Sequence, residues 1–100
     1  MNYQFSEDGS GITVRITGDL NFSASAEFKT IIEKLATVKG LAVTFDLAAV
    51  GRIDSVGLGL LYIAKEDVGI RGKIRLKSPQ VIVMKMLTLT EADNDFDIVP

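Results

Sequence analysis

Asp46-Leu47-Ala48-Ala49-Val50-Gly51-Arg52-Ile53-Asp54-Ser55-Val56-Gly57-Leu58-Gly59-Leu60-Leu61 is the stretch whose reading decides the fold. An apolar strand runs out through Asp46, a short loop turns the chain, and Asp54-Ser55 stands where a helix has to begin. The hydroxyl of Ser55 is thereby placed at a helix N-terminus, where free N–H groups and the helix dipole favour added negative charge. Glycines on either side keep the nearby backbone bare, so that a partner can approach closely. This is an arrangement suited to displaying a serine for phosphorylation. The same pair also reads as ordinary capping, because Asp and Ser are common helix N-caps.

Outward from this stretch, Leu41 to Leu47 is a continuous apolar run broken by few polar residues, which predicts a central strand buried on both faces. Before it, Phe28, Ile31, Ile32 and Leu35 fall at i, i+3, i+4 and i+7, a helical stripe that begins near Ser25. Ser23 or Ser25 can cap that helix and Gly40 can stop it. Earlier still, Ile12, Val14 and Ile16 alternate with Thr13, Arg15 and Thr17, the pattern of a half-buried strand. Tyr3 and Phe5 predict a shorter first strand, joined to it through the turn Asp8-Gly9-Ser10-Gly11 as an antiparallel hairpin.

After the Asp54-Ser55 pair, a second helix is expected to about Asp67, with Gly57, Leu60, Leu61, Ala64 and Val68 inward and Gly69-Ile70-Arg71-Gly72 closing it. Lys73 to Lys77 alternates as a further strand. Ser78-Pro79 predicts a helix start, with Ser78 as N-cap and proline in the first helical position. Val81 to Leu89 is apolar nearly all round, so one face is core and the surplus face is either covered by the terminal segment or offered to a partner. Phe96 and Ile98 fit a last short strand. The expected fold is α/β, with a mixed sheet, an N-terminal antiparallel hairpin, parallel crossovers and amphipathic helices packed largely on one face.

One hundred residues predict one domain over 1–100. A net charge of −2 lacks the basic excess that phosphate-backbone binding requires, so no nucleic-acid partner is expected. Absence of cysteine and histidine removes disulfides, the usual zinc sites and the commonest general base. Ser55 therefore has no histidine to complete a hydrolase triad. Gly57-Leu58-Gly59 is too short for a dinucleotide fingerprint, and no Gly-Lys-Ser/Thr completes a phosphate loop. Asp93-Asn94-Asp95-Phe96-Asp97 spaces carboxylates like the start of a calcium loop, but Ile98 stands where glycine is needed. These acids are expected to form a solvated patch. No enzyme activity, metal or cofactor is expected. Apolar runs too short for a membrane span and a polar start predict a cytoplasmic chain without direct membrane insertion.

The strand ending Phe45-Asp46-Leu47, the run Ile53-Asp54-Ser55-Val56-Gly57-Leu58-Gly59-Leu60-Leu61 and Gly18-Asp19-Leu20-Asn21 together resemble the STAS domain, in particular the single-domain bacterial anti-sigma factor antagonists. The resemblance covers nearly the whole chain and implies a STAS-like fold. It implies that Ser55 is phosphorylated by a serine kinase that is itself the anti-sigma factor. By the same resemblance, the unphosphorylated form binds that kinase and frees its sigma factor, phosphorylation releases it, and a phosphatase resets it. Asp19 and Asn21 would contact the kinase beside Asp54, Ser55 and Val56, with Gly57 and Leu58 buried against it, and the free protein would be a monomer. Asn21 stands where many relatives carry aspartate, and Thr90-Glu91-Ala92 replaces a common Thr/Ser-Gly-Leu. Two other readings compete: an accessory STAS subunit of an ATP-driven membrane transport complex, and a small-ligand sensor.

Overall fold

The computed structural model describes residues 1–38, 40–67 and 73–100. Two strands, β1 (Asn2–Asp8) and β2 (Gly11–Thr17), form the expected antiparallel hairpin, with Tyr3 opposite Ile16 and Phe5 opposite Val14. At the turn the Asp8 carboxylate accepts from the Ser10 hydroxyl at 2.7 Å, the Ser10 N–H at 2.8 Å and the Gly11 N–H at 3.1 Å. The Ser10 hydroxyl, then its N–H, holds the Asp8 carboxyl below the usual carboxylate range. A 3-10 turn (Phe22–Ala24) leads into α1 (Ser25–Leu35), followed by β3 (Ala42–Ala49) and α2 (Ser55–Asp67). Then come β4 (Arg75–Lys77), α3 (Val81–Leu89), a second 3-10 turn (Ala92–Asn94) and β5 (Asp97–Val99). Val68 and the segment Gly69-Ile70-Arg71-Gly72, expected to finish and close the second helix, lie outside the described residues.

The sheet order is β1-β2-β3-β4-β5, antiparallel in the hairpin and parallel from β2 onward. Ile12, Val14 and Ile16 share a face with Val43, Phe45, Leu47 and Leu76, and all are buried. Against that face lie Phe28, Ile31 and Leu35 of α1, Leu58, Leu61 and Ala64 of α2, and Val83 and Leu87 of α3. Phe28 stacks on Phe45 with ring centres 5.5 Å apart. The other face carries Thr13, Arg15, Thr44, Asp46, Arg75 and Lys77, none of them buried. The expectation that Leu41–Leu47 is buried on both faces is therefore corrected: β3 alternates buried and half-buried positions, because helices cover one side only.

Helix ends depart from the sequence expectations in three places. Neither Ser23 nor Ser25 caps α1; its N-cap is Ala24, and Asn21 instead accepts from the Ser23 N–H to cap the preceding 3-10 turn. That helix ends at Leu35, well before Gly40, and the Lys34 carbonyl accepts from both the Thr37 hydroxyl at 2.7 Å and the Thr37 N–H at 3.0 Å. Ser78 is not the cap of α3. It sits in the left-handed region at φ 55°, with its N–H donating to the Val99 carbonyl at 2.7 Å, so the helix starts only at Val81 after an extended Gln80. The demand of the β4–β5 junction for that N–H overrides the local Ser-Pro signal.

The acidic C-terminal segment is a solvated patch only in part: Asp93 and Asp97 are exposed, whereas Asp95 is drawn inward. Asp95 is half-buried and accepts from the Tyr62 hydroxyl at 2.6 Å, while the Asp97 carboxylate lies 3.8 Å from Arg75. Tyr62 also packs edge-on against the buried Phe96, 5.0 Å between ring centres, so α2 is tied to the chain entering β5. The hydrogen bond to Asp95, with some burial, pushes the Tyr62 hydroxyl up to about 12. Its folded value thus exceeds the ordinary 10, so the bond contributes fully below pH 10 and is lost as pH rises toward 12. Tyr62→Phe is expected to cost about 1 kcal/mol in urea melts at neutral pH. The difference from wild type should shrink across that alkaline window.

Glu91, at the position where the resemblance has glycine, occupies the left-handed region at φ 58° just past the end of α3. Its N–H still donates to the Thr88 carbonyl at 3.1 Å, so the helix closes, but a Cβ in that conformation is costly. Glu91→Gly is expected to raise stability by about 1 kcal/mol, read as a higher denaturation midpoint at unchanged slope. The surplus apolar face of α3 is left uncovered: Val81 is 87% exposed, Ile82 59% and Leu89 73%.

Candidate functional site

The loops after β2 and β3 run side by side, and this brings the candidate residues together. Strand pairing slips by one residue between Arg15 and Thr17 and then continues past the strand ends. The Gly18 N–H donates to the Ala49 carbonyl at 3.1 Å and the Leu20 N–H to the Arg52 carbonyl at 2.9 Å. The Asp54 N–H returns a bond to the Leu20 carbonyl at 3.2 Å, so Leu20 and Ile53 form one more parallel bridge. Leu20 is fully buried and Ile53 half-buried, so their neighbours Asp19, Asn21, Arg52 and Asp54 are turned outward by the alternation of an extended chain.

A cleft of about 410 Å³ lies there, lined by Asp19, Asn21, Arg52, Ile53, Asp54 and Ile82. Asn21 is held by its own turn, its Oδ1 accepting from the Ser23 N–H at 3.0 Å and the Ser23 hydroxyl at 2.6 Å. Asp19 is exposed, with Oδ1 close against Gly51, where an added Cβ would meet it at 3.3 Å. Phe22, 77% exposed, stands directly after Asn21.

The start of α2 separates the two readings of Asp54-Ser55. Asp54 is the cap: its Oδ1 accepts from the Gly57 N–H at 2.8 Å and its carbonyl from the Leu58 N–H at 2.9 Å. Ser55 is the first helical residue, exposed, and its hydroxyl makes no hydrogen bond among the described residues. The division of labour leaves the hydroxyl free at a helix N-terminus that favours negative charge. The Asp54 carboxylate is committed to the cap, and no side chain hydrogen-bonds to the Ser55 hydroxyl among the described residues.

Val56 is exposed beside Ser55, whereas Gly57 and Leu58 are buried within the chain itself. Gly57 has a specific reason to be glycine, since an added Cβ would run into the Leu20 carbonyl. Gly59 has none, as a Cβ there meets nothing within 4 Å. The cleft therefore unites Asp19, Asn21 and Asp54, while Ser55 and Val56 follow Asp54 in the chain without lining it, and Gly57 packs on the backbone of Leu20. Arg52, Ile82 and Phe22 were not among the sequence candidates. The surplus apolar face of the Val81–Leu89 run was a signal for Ile82. For Arg52 the signal was its place two residues before Asp54, on the same side of an extended segment.

A family model described as the STAS domain matches residues 2–100. Among solved structures, an anti-sigma factor antagonist from Mycobacterium paratuberculosis superposes with a TM-score of 0.87 at 20% identity, covering 99% of this chain and 85% of that one. A putative anti-sigma factor antagonist from Thermotoga maritima gives 0.83 at 23% identity, covering 98% and 86%. The anti-sigma factor antagonist SpoIIAA in its unphosphorylated form gives 0.74 at 17% identity, covering 99% and 89%. These likenesses are of fold. No curated protein matches the sequence significantly. With a family match over 2–100, the sheet order derived above and the Asp54-Ser55 helix start in place, the chain belongs to the STAS domain family.

Proposed function

We propose that this protein is an anti-sigma factor antagonist that works by partner switching, with Ser55 as the phosphorylated residue. The observation that carries the reading is the Ser55 hydroxyl, exposed and unbonded among the described residues while Asp54 takes over the capping. STAS membership and fold likeness to antagonists, one of them described in its unphosphorylated form, support it. Unphosphorylated, the chain binds an anti-sigma factor that is also a serine kinase, and the bound sigma factor or other target is released. The interface is centred on Asp19, Asn21, Asp54, Ser55 and Val56, with Gly57 and Leu58 holding the backbone beneath it.

Phosphorylation adds roughly −1.5 to −2 charges and three acceptor oxygens at Ser55. The helix dipole tolerates that charge, so the fold survives. A docked surface shaped to a neutral hydroxyl does not, because the phosphate is bulky, strongly hydrated and next to Asp54. Loss of about 3 kcal/mol at the interface weakens binding roughly a hundredfold, enough to exchange partners. A phosphatase restores the binding form. The free protein is a monomer and has no catalysis of its own.

The test is intact mass with peptide mapping of the protein from its native cell in two growth states. One phosphoryl group on Ser55, with occupancy that differs between the states, is the expected result. An unmodified Ser55 in both states, with an ATPase subunit co-purifying, would replace this reading with that of a transport-complex subunit.

A further inference from the structure

We propose that Arg52 pairs with the phosphoryl group on Ser55, so that phosphorylation closes an ion pair within the protein as well as adding charge. The inference rests on Ser55 being the phosphorylated residue. Arg52 lines the cleft together with Asp19 and Asp54, the charged groups that face it there. Although flanked by two carboxylates, it forms an ion pair with neither: the ion pairs among the described residues are Met1–Glu27, Lys65–Glu66 and Arg75–Asp97. The Asp54 carboxylate is engaged by the Gly57 N–H and Asp19 lies against Gly51. An exposed guanidinium stands uncommitted at the border of the modified residue.

Its backbone is fixed. The Arg52 carbonyl accepts from the buried Leu20 and the next residue forms the Leu20–Ile53 bridge, so Arg52 and Ser55 keep a constant separation. Three residues of fully extended chain span at most about 11 Å, and the turn into α2 shortens this, leaving Ser55 within reach of a long side chain. Asp19, Arg52 and Asp54 sum to one negative charge, so no excess of cations competes for the phosphate. A phosphate dianion with three acceptor oxygens matches the planar guanidinium fork and outcompetes the monoanionic carboxylates for it. Arg52 is then withdrawn from the surface that a partner reads. Phosphorylation changes two features of that surface at once: it places a dianion at Ser55 and removes a free cation at Arg52.

The test uses the full chain with phosphoserine installed at position 55 during translation, so that no kinase is needed. Phosphorus NMR follows the phosphate titration in the wild type, in Arg52→Gln, in Arg52→Lys and in Lys85→Gln as a control on α3. The second phosphate pKa, ordinarily about 6, is expected to be depressed in the wild type and to rise by about half a unit in Arg52→Gln. Arg52→Lys should keep part of the depression and Lys85→Gln all of it. Equal phosphate pKa values in the wild type and Arg52→Gln would overturn the proposal. Failure to find phosphate on Ser55 in the cell would instead remove the reading of function, and the NMR result is independent of that.

Discussion

Gly57→Ala is expected to destabilise the protein by about 2–3 kcal/mol, against the usual gain from replacing a helical glycine. The added methyl group would collide with the Leu20 carbonyl, a backbone atom that cannot rotate away. Leu20 is fully buried, and that carbonyl also accepts from the Asp54 N–H, so relief requires the bridge between the two loops to open. For a chain of 100 residues the penalty corresponds to a fall in Tm of roughly 10–20 °C. Gly59→Ala supplies the contrast two residues along the same helix. There the new Cβ meets nothing within 4 Å, so the better helix propensity of alanine is expected to add about 0.5–1 kcal/mol. Thermal melts of both variants read the opposite signs directly. Equal responses at the two positions would show that Leu20 does not hold the helix start.

The second large effect is on binding and leaves stability alone. Because Asp54 caps α2, neither Ser55→Ala nor Ser55→Asp removes a hydrogen bond seen in the fold, and both should melt within about 0.5 kcal/mol of wild type. Their affinities for the proposed anti-sigma partner should separate. Ser55→Ala keeps a small neutral side chain and is expected to bind like the unphosphorylated protein even after incubation of the partner with ATP. Ser55→Asp places one full negative charge beside Asp54 and is expected to bind about tenfold more weakly, since an interface charge of the wrong sign costs on the order of 1–2 kcal/mol. Isothermal titration before and after ATP measures both. Equal affinity of the two variants in both conditions would contradict the switch.

Much of this arrangement was legible in the residues themselves. Period-two alternation in Ile12–Ile16 and the i, i+3, i+4, i+7 stripe in Phe28–Leu35 correctly placed β2 and α1, because each element buries one face against the other. The helix beginning at Ser55 was legible for the same reason, from polar caps followed by an apolar run. The readings that failed depended on distant partners. Ser78-Pro79 carries a strong local start signal, yet Val99 claims the Ser78 N–H and holds that residue out of the helix. Asp95 looked like one acid among several until the fold brought Tyr62, 33 residues away, to its carboxylate. In the site, Asp19, Asn21, Asp54, Ser55 and Val56 carried a motif, whereas Arg52 and Ile82 joined the cleft only through the Leu20–Ile53 bridge and the docking of α3. In that docking the Gln80 side-chain amide donates to the Ala48 carbonyl at 2.9 Å, a contact no spacing rule predicts. The glycines divide similarly: Gly57 and Gly59 look alike in sequence, and only the position of the Leu20 carbonyl separates them.

The central claim is that phosphate on Ser55 decides whether the protein binds its anti-sigma partner. The direct measurement is the Kd of the purified kinase for the unphosphorylated chain and for the chain carrying phosphoserine at position 55, in the same buffer at the same salt. A rise in Kd of about a hundredfold or more on phosphorylation, with unchanged circular dichroism, is the expected result. Equal Kd values for the two forms, both folded, would contradict partner switching at Ser55.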